Sequence, residues 1–198
     1  MRDRVGRMSD AWEFSYTAFP LERFTDELLD ELKTEAASQL MIENDTLIIK
    51  HLFIERRLEP LNLFLNRCSG EELEEALCEY GNAIREIAAA GLFPGDLLLK
   101  NFGYTRHGRV IFYDYDEVMS IGECKFRKIP PPRYPEDELA AEAWYSIDPN
   151  DIFPEEFVTF LVTAPEQKEI FTRLHADLFH VDYWKKLQQT VANNEFPE

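Results

Sequence analysis

An α+β fold is predicted. A helix and antiparallel strands occupy the first third of the chain, and a mainly helical region follows. Between the two runs a short hairpin with acidic residues at both ends. Three observations carry this. Helical apolar stripes recur over residues 28–36 and 73–87, an unbroken strand pattern covers residues 46–54, and turn residues bracket the apolar pair of runs around residues 97–113.

Thr25 can cap a first helix with Leu28, Leu29, Leu32 and Ala36 on one face. Residues 46–54 read as strand, with a turn at Asn44-Asp45 joining them to a second one. Glu55 to Pro60 breaks the pattern and connects two layers. Ser69 and Glu72 have capping-box spacing, and Leu73, Leu77, Tyr80, Ile84 and Ile87 form one stripe. Gly91 supplies a left-handed stop. Gly103 to Gly108 holds the hairpin turn before the strand Arg109–Tyr113. Pro130 to Pro135 is extended. Pro154 and Pro165 suit the first turns of two helices, and a third is expected from about Val181 to Val191.

The chain has 198 residues, enough for one domain with a real core. Its formal charge of −17 repels phosphate backbones and anionic lipid, so nucleic acid and membrane are not expected partners. No apolar run approaches the roughly 20 residues of a membrane span, and no secretory signal follows Met1. Cys68, Cys78 and Cys124 form neither a metal spacing nor a disulfide framework, so a reducing cytoplasm is expected. His175 and His180 have no third ligand in view and are read as packed or surface histidines.

Asp96, Asn101 and Asp114 stand out together. They lie five and thirteen positions apart and flank the hairpin after a long helix. This is the arrangement of a kinase catalytic loop and metal-binding strand end. Phosphoryl transfer concentrates negative charge that magnesium neutralises. Asp114 offers a hard carboxylate ligand and Asn101 a neutral carbonyl oxygen. Asp96, with no cation within two residues, suits the acceptor's proton. Each alone would read as an ordinary turn residue; the spacing of all three makes the case. Asp116 reads as a second metal ligand or a solvated loop acid, with Glu117 beside it. Lys100 reads as a point charge on the transferring phosphate, or as a salt bridge to Asp96 or Asp114. The Asp114-Tyr115-Asp116 form is also close to small-molecule kinases of the aminoglycoside and choline type.

Longer strings resemble one family, the bacterial isocitrate dehydrogenase kinase/phosphatases. They are Asp3-Arg4-Val5-Gly6-Arg7-Met8, His51-Leu52-Phe53-Ile54-Glu55-Arg56-Arg57, Tyr80-Gly81-Asn82-Ala83-Ile84-Arg85, Phe93-Pro94-Gly95-Asp96 with Lys100-Asn101-Phe102-Gly103, Thr105 to Val110, Phe112 to Glu117, and Ile129 to Glu138. The resemblance runs from about Asp3 to the end. It implies a protein-kinase-like fold: residues 1–56 as a partial small lobe of helix and antiparallel strands, and residues 57–198 as a mainly helical large lobe with a catalytic hairpin. It implies a bifunctional serine kinase and phosphatase that uses ATP/ADP and Mg2+ (or Mn2+). Isocitrate dehydrogenase is the implied protein substrate, which sets flux between the tricarboxylic acid cycle and the glyoxylate bypass. By the same resemblance Asp96 is the catalytic-loop acid, and Asn101 and Asp114, with Asp116 at the same end, hold metal. Asp10 matches a position tied to phosphatase action, and Leu52, Ile54, Glu55 and Arg56 lie at the hinge where backbone groups meet adenine.

Three things depart from the family pattern. Its members are far longer, with a regulatory domain not found here. No glycine-rich phosphate loop precedes the strands, since Gly6 alone falls in the first 69 residues. Neither Lys33 nor Lys50 stands where the phosphate-pairing strand lysine belongs. The chain is therefore expected to be a fragment with an open sheet edge, which transfers phosphate poorly alone. Two other readings stay open: a small-molecule phosphotransferase, and a non-catalytic kinase-like binding module. The proline-rich stretch at residues 130–135 suits a protein substrate.

Overall fold

The computed structural model describes residues 6–132, 134 and 144–193. Asp3 to Val5, Arg133 and Pro135 to Glu138, which contribute to the family strings, lie outside the described residues. The chain divides into two compact units, Ser9–Arg57 and Met1–Met8 with Leu58–Glu198.

The unit at Ser9–Arg57 is a three-stranded antiparallel sheet with one helix. Strand β1 (Ala11–Pro20) pairs with β3 (Thr46–Glu55), which pairs with β2 (Leu40–Glu43). The turn expected at Asn44-Asp45 is present. Asn44 takes a φ of 51°, a conformation that asparagine tolerates better than most side chains. Helix α1 (Asp26–Glu35) starts where Thr25 Oγ1 accepts from the Leu28 amide at 3.3 Å, as the sequence suggests. Leu47 is fully buried.

The other unit is built on α3 (Glu71–Ala89). Leu73, Leu77, Tyr80, Ile84 and Ile87 are all at most 2% exposed, so the predicted stripe is the core face. The predicted capping box does not form. The helix begins one residue later than Ser69 allows, with Gly70 as N-cap at φ 60°, and no side chain caps it. Glu71, Glu72 and Glu74 in the first turn complement the helix dipole instead. Gly91 ends the helix at φ 89°, as expected.

Strand β4 (Glu59–Pro60) and helix α2 (Leu61–Arg67) precede α3. After it come β5 (Leu92–Phe93), the hairpin strands β6 (Phe102–Tyr104) and β7 (Val110–Phe112), then β8 (Met119–Ser120) and β9 (Lys125–Phe126). The sequence assigned Gly103 to the hairpin turn, but it pairs with Ile111 inside the ladder. A Cβ at 103 would lie 2.6 Å from that of Leu58, so glycine admits the close approach. Sheet order is β4-β6-β7, antiparallel, with β5 and β8 forming a second antiparallel pair. Ile129 to Pro132 have no regular structure.

Strand β10 (Asp151–Ile152) pairs parallel with β9. Pro154 opens a 3-10 turn into α4 (Phe157–Phe160), and Pro165 is the first residue of α5 (Pro165–His175). Helix α6 (Val181–Ala192) ends the unit and buries Trp184 against Phe93 and Phe126. Among the described residues no helix is long and apolar enough to cross a membrane. The three cysteines are free thiols.

Helix α5 docks on α3 through a gap left by Gly81. A Cβ there would lie 2.3 Å from His175 Nε2. His175 is 2% exposed, donates from Nε2 to the Leu77 carbonyl, and accepts from Arg85 at Nδ1. Burial, with Arg85 beside it, drives its pKa down to about 4. The folded chain thus keeps a neutral histidine that the unfolded chain protonates below about 6.5. Stability is unaffected above that pH and falls as pH drops from 6.5 toward 4, by a total on the order of 3 kcal/mol. In urea titrations across this window, His175→Gln should flatten the decline relative to wild type. Equal slopes would mean that His175 titrates normally in the fold.

Candidate functional site

The site sits where two loops are forced together. Pairing of β5 with β8 sets Leu92 opposite Ser120 and Phe93 opposite Met119. The loop after β5 and the loop before β8 therefore run side by side. Gly95 donates its amide to the Glu117 carbonyl at 3.1 Å. A Cβ at 95 would fall 2.5 Å from that oxygen, so only glycine allows the approach.

Asp96 follows directly. Its Oδ1 accepts from the Leu98 amide at 2.9 Å, closing a local turn. Its Oδ2 lies 3.8 Å from Lys100 Nζ. Of the two readings of Lys100, the salt bridge is therefore the one present. Both groups are solvated, so the pair contributes at most about 1 kcal/mol and leaves Lys100 free to turn toward another anion.

Asn101 is 3% exposed and ties the loops together. Its Nδ2 donates to the Asp96 carbonyl at 3.2 Å, and its own carbonyl accepts from the Tyr113 amide at 3.1 Å. The Tyr113 hydroxyl donates back to the Lys100 carbonyl. Asp114 is thus presented by a backbone stitched to residues 100 and 101. Its Oδ1 accepts weakly from the Asp116 amide at 3.4 Å.

Asp96, Lys100, Asp114, Asp116 and Glu117 line one cleft of about 170 Å³. The structure brings these five together, with Asn101 held behind the Asp96 backbone rather than lining the cleft. Asp10 is exposed just ahead of β1 in the other unit. Leu52, Ile54 and Glu55 lie in β3, with Arg56 just after it. Leu52 to Glu55 pair with β1, whereas β2 reaches only to Ile49. Among the described residues, the β2 side of Leu52 to Glu55 thus carries no strand.

No group of three or more His, Cys, Asp or Glu among the described residues is placed to hold a metal by itself. The donor set is hard oxygen throughout. The carboxylates that line the cleft suit magnesium, which keeps waters and shares phosphate oxygens rather than filling a protein cage. They do not suit zinc, which wants nitrogen or sulfur.

Two supports were not foreseen. Tyr80 is fully buried on α3 and donates its hydroxyl to the Leu97 carbonyl, fixing the Asp96 loop to the helix. Burial pushes its pKa well up. A hydroxyl in an otherwise apolar stripe is the sequence signal that could have marked it. Arg7, 3% exposed, donates to Glu79, to Glu86 and to the Val110 carbonyl. The Phe112 amide donates to the Arg7 carbonyl at 2.7 Å, and Met8 bridges to Phe112 in parallel. Arg7 and Met8 thereby line the edge of β7. Nothing local in the sequence announces this.

In comparison with known proteins, residues 1–198 match the model of a kinase domain. That domain is the one of isocitrate dehydrogenase kinase/phosphatase (AceK), and the chain belongs to this family. Curated relatives of that name include one from Yersinia enterocolitica, 53% identical over 96% of this chain, and one from Aromatoleum aromaticum, 55% identical over 96%. Another, from Pectobacterium carotovorum, is 54% identical over 99%. The chain spans about a third of the length of these relatives, at 33%, 32% and 33% respectively.

Replacing Tyr80 with Phe leaves the Leu97 carbonyl buried without its donor. The expected loss is about 1–3 kcal/mol of unfolding free energy, read from urea denaturation. Gly95→Ala should also destabilise, by forcing the Glu117 carbonyl away. A Tyr80→Phe variant as stable as wild type would show that this hydrogen bond does not hold the loop.

Proposed function

We propose that the chain is the catalytic part of a protein serine kinase that also removes the phosphate it adds, with isocitrate dehydrogenase as its protein substrate. In this reading residues 1–56 and 57–198 are the two lobes of a kinase-like fold, working in the cytoplasm. Family membership supports the reaction class. The observation that carries the reading is the cleft lined by Asp96 on one loop and by Asp114 and Asp116 on the other.

Asp114 and Asp116 would hold magnesium, with Asn101 as an amide donor, and the ion supplies charge neutralisation for ATP phosphates when bound. Asp96 accepts the proton of the attacking serine hydroxyl. The serine oxygen bonds to the γ-phosphorus as the bond to the ADP oxygen breaks. Lys100 leaves its exposed pairing with Asp96 to meet the phosphoryl oxygens. In the phosphatase direction a water takes the place of the attacking hydroxyl: its oxygen bonds to phosphorus as the phosphoserine P–O bond breaks, and Asp96 takes the water's proton and passes it to the leaving serine oxygen. Asp10 contributes to this second direction. The unpaired side of Leu52 to Arg56 offers backbone groups to adenine.

A small-molecule acceptor is disfavoured by the family match. The non-catalytic reading is decided by binding. Calorimetry should detect ATP binding by the chain that depends on magnesium and is lost in Asp114→Asn. With labelled ATP and isocitrate dehydrogenase, Asp96→Asn and Asp114→Asn should each lower transfer about 10²–10³-fold in a protein that contains the chain and transfers phosphate. Without a glycine-rich loop, the chain alone should transfer slowly. Undetectable ATP binding would favour a binding module, and unchanged transfer in Asp114→Asn would overturn the site assignment.

A further inference from the structure

The loop pair that builds the acidic cleft has a second side. A larger cleft of about 350 Å³ opens there, lined by Leu97, Leu98, Ile152, Phe157, Phe160 and Leu161. Asp96 and Glu117 line both clefts, so the two share one wall. Leu98 is 36% exposed and Phe160 56%, beside a core in which most large apolar side chains are under 5%.

A ligand whose hydroxyl reaches Asp96 can therefore place a neighbouring group across the wall. The lining decides what that group is. Apart from the shared wall it offers carbon surface, whereas a sugar-like or aminoglycoside-like acceptor needs partners for its remaining polar groups. The volume suits one large aliphatic or aromatic side chain. The carboxylates along the wall repel an acidic residue there. A polypeptide meets all three conditions, with its hydroxyl at Asp96 and one apolar side chain in the pocket.

We propose that this cleft is a specificity subsite for the polypeptide acceptor. It receives an apolar side chain close in sequence to the residue that is phosphorylated, with Phe160 and Leu98 closing over it. The inference rests on the reading of the site as a protein phosphotransferase, but its test does not require turnover. Fluorescent 15-residue peptides, each with one central serine, would carry Leu, Phe, Gly or Glu at successive neighbouring positions. Binding to the chain with magnesium and ADP is followed by anisotropy.

At one position Leu and Phe peptides should bind at least about tenfold more tightly than Gly, and Glu more weakly still. Phe160→Ala should shrink that ratio several-fold, and Phe160→Asp should abolish it; both substitutions are at an exposed position, so circular dichroism should remain that of wild type. No preference at any position, or a preference that survives both substitutions, overturns the proposal. A clear preference without any phosphoryl transfer would uphold the subsite and count against the proposed reaction.

Discussion

The guanidinium of Arg7, closed between Glu79 and Glu86, is the contact to which the rest of the site is referred. Burial opposes its charge, but the hydrogen bonds to the two glutamates outweigh that cost and hold it ionised. Glu79 is correspondingly held below the usual carboxylate range, against its own burial. Loss of both glutamates would leave the buried guanidinium without a counter-charge, whereas loss of one leaves the other still paired to it. The Arg7 carbonyl then fixes Phe112, and β7 delivers Asp114. Tyr80, next in sequence to Glu79, fixes the loop that delivers Asp96. One helix thus sets both sides of the cleft.

That rigidity fixes where the charged groups stand. Four carboxylates converge with a single solvated lysine among them. Backbone hydrogen bonds, rather than attraction between side chains, set the two loops that carry them side by side. The stitches between Asn101 and Tyr113, and between Gly95 and Glu117, are of this kind.

Local chemistry carried much of this. The α3 stripe, the Thr25 cap, the Asn44 turn, Gly91 and Pro165 each act within a few residues, so their signals are visible in the sequence. The spacing of Asp96, Asn101 and Asp114 was legible because a hairpin converts sequence distance into a fixed span. The pairings of β5 with β8 and of β9 with β10, and the Arg7 clamp, join residues far apart and leave no periodic trace. Ser69 misled for a related reason. Its spacing to Glu72 is right, but Gly70 at positive φ shifts the helix start past it.

The parallel pairing of β9 with β10 has its own consequence. It joins the two ends of residues 127–150, and Arg127 with Asp151 and Lys125 with Asp148 reinforce the closure. Once the ends are pinned, doubling the enclosed length adds only about 0.6 kcal/mol of closure entropy. The strand pair and the two ion pairs, not the length of chain between them, therefore set how these ends meet.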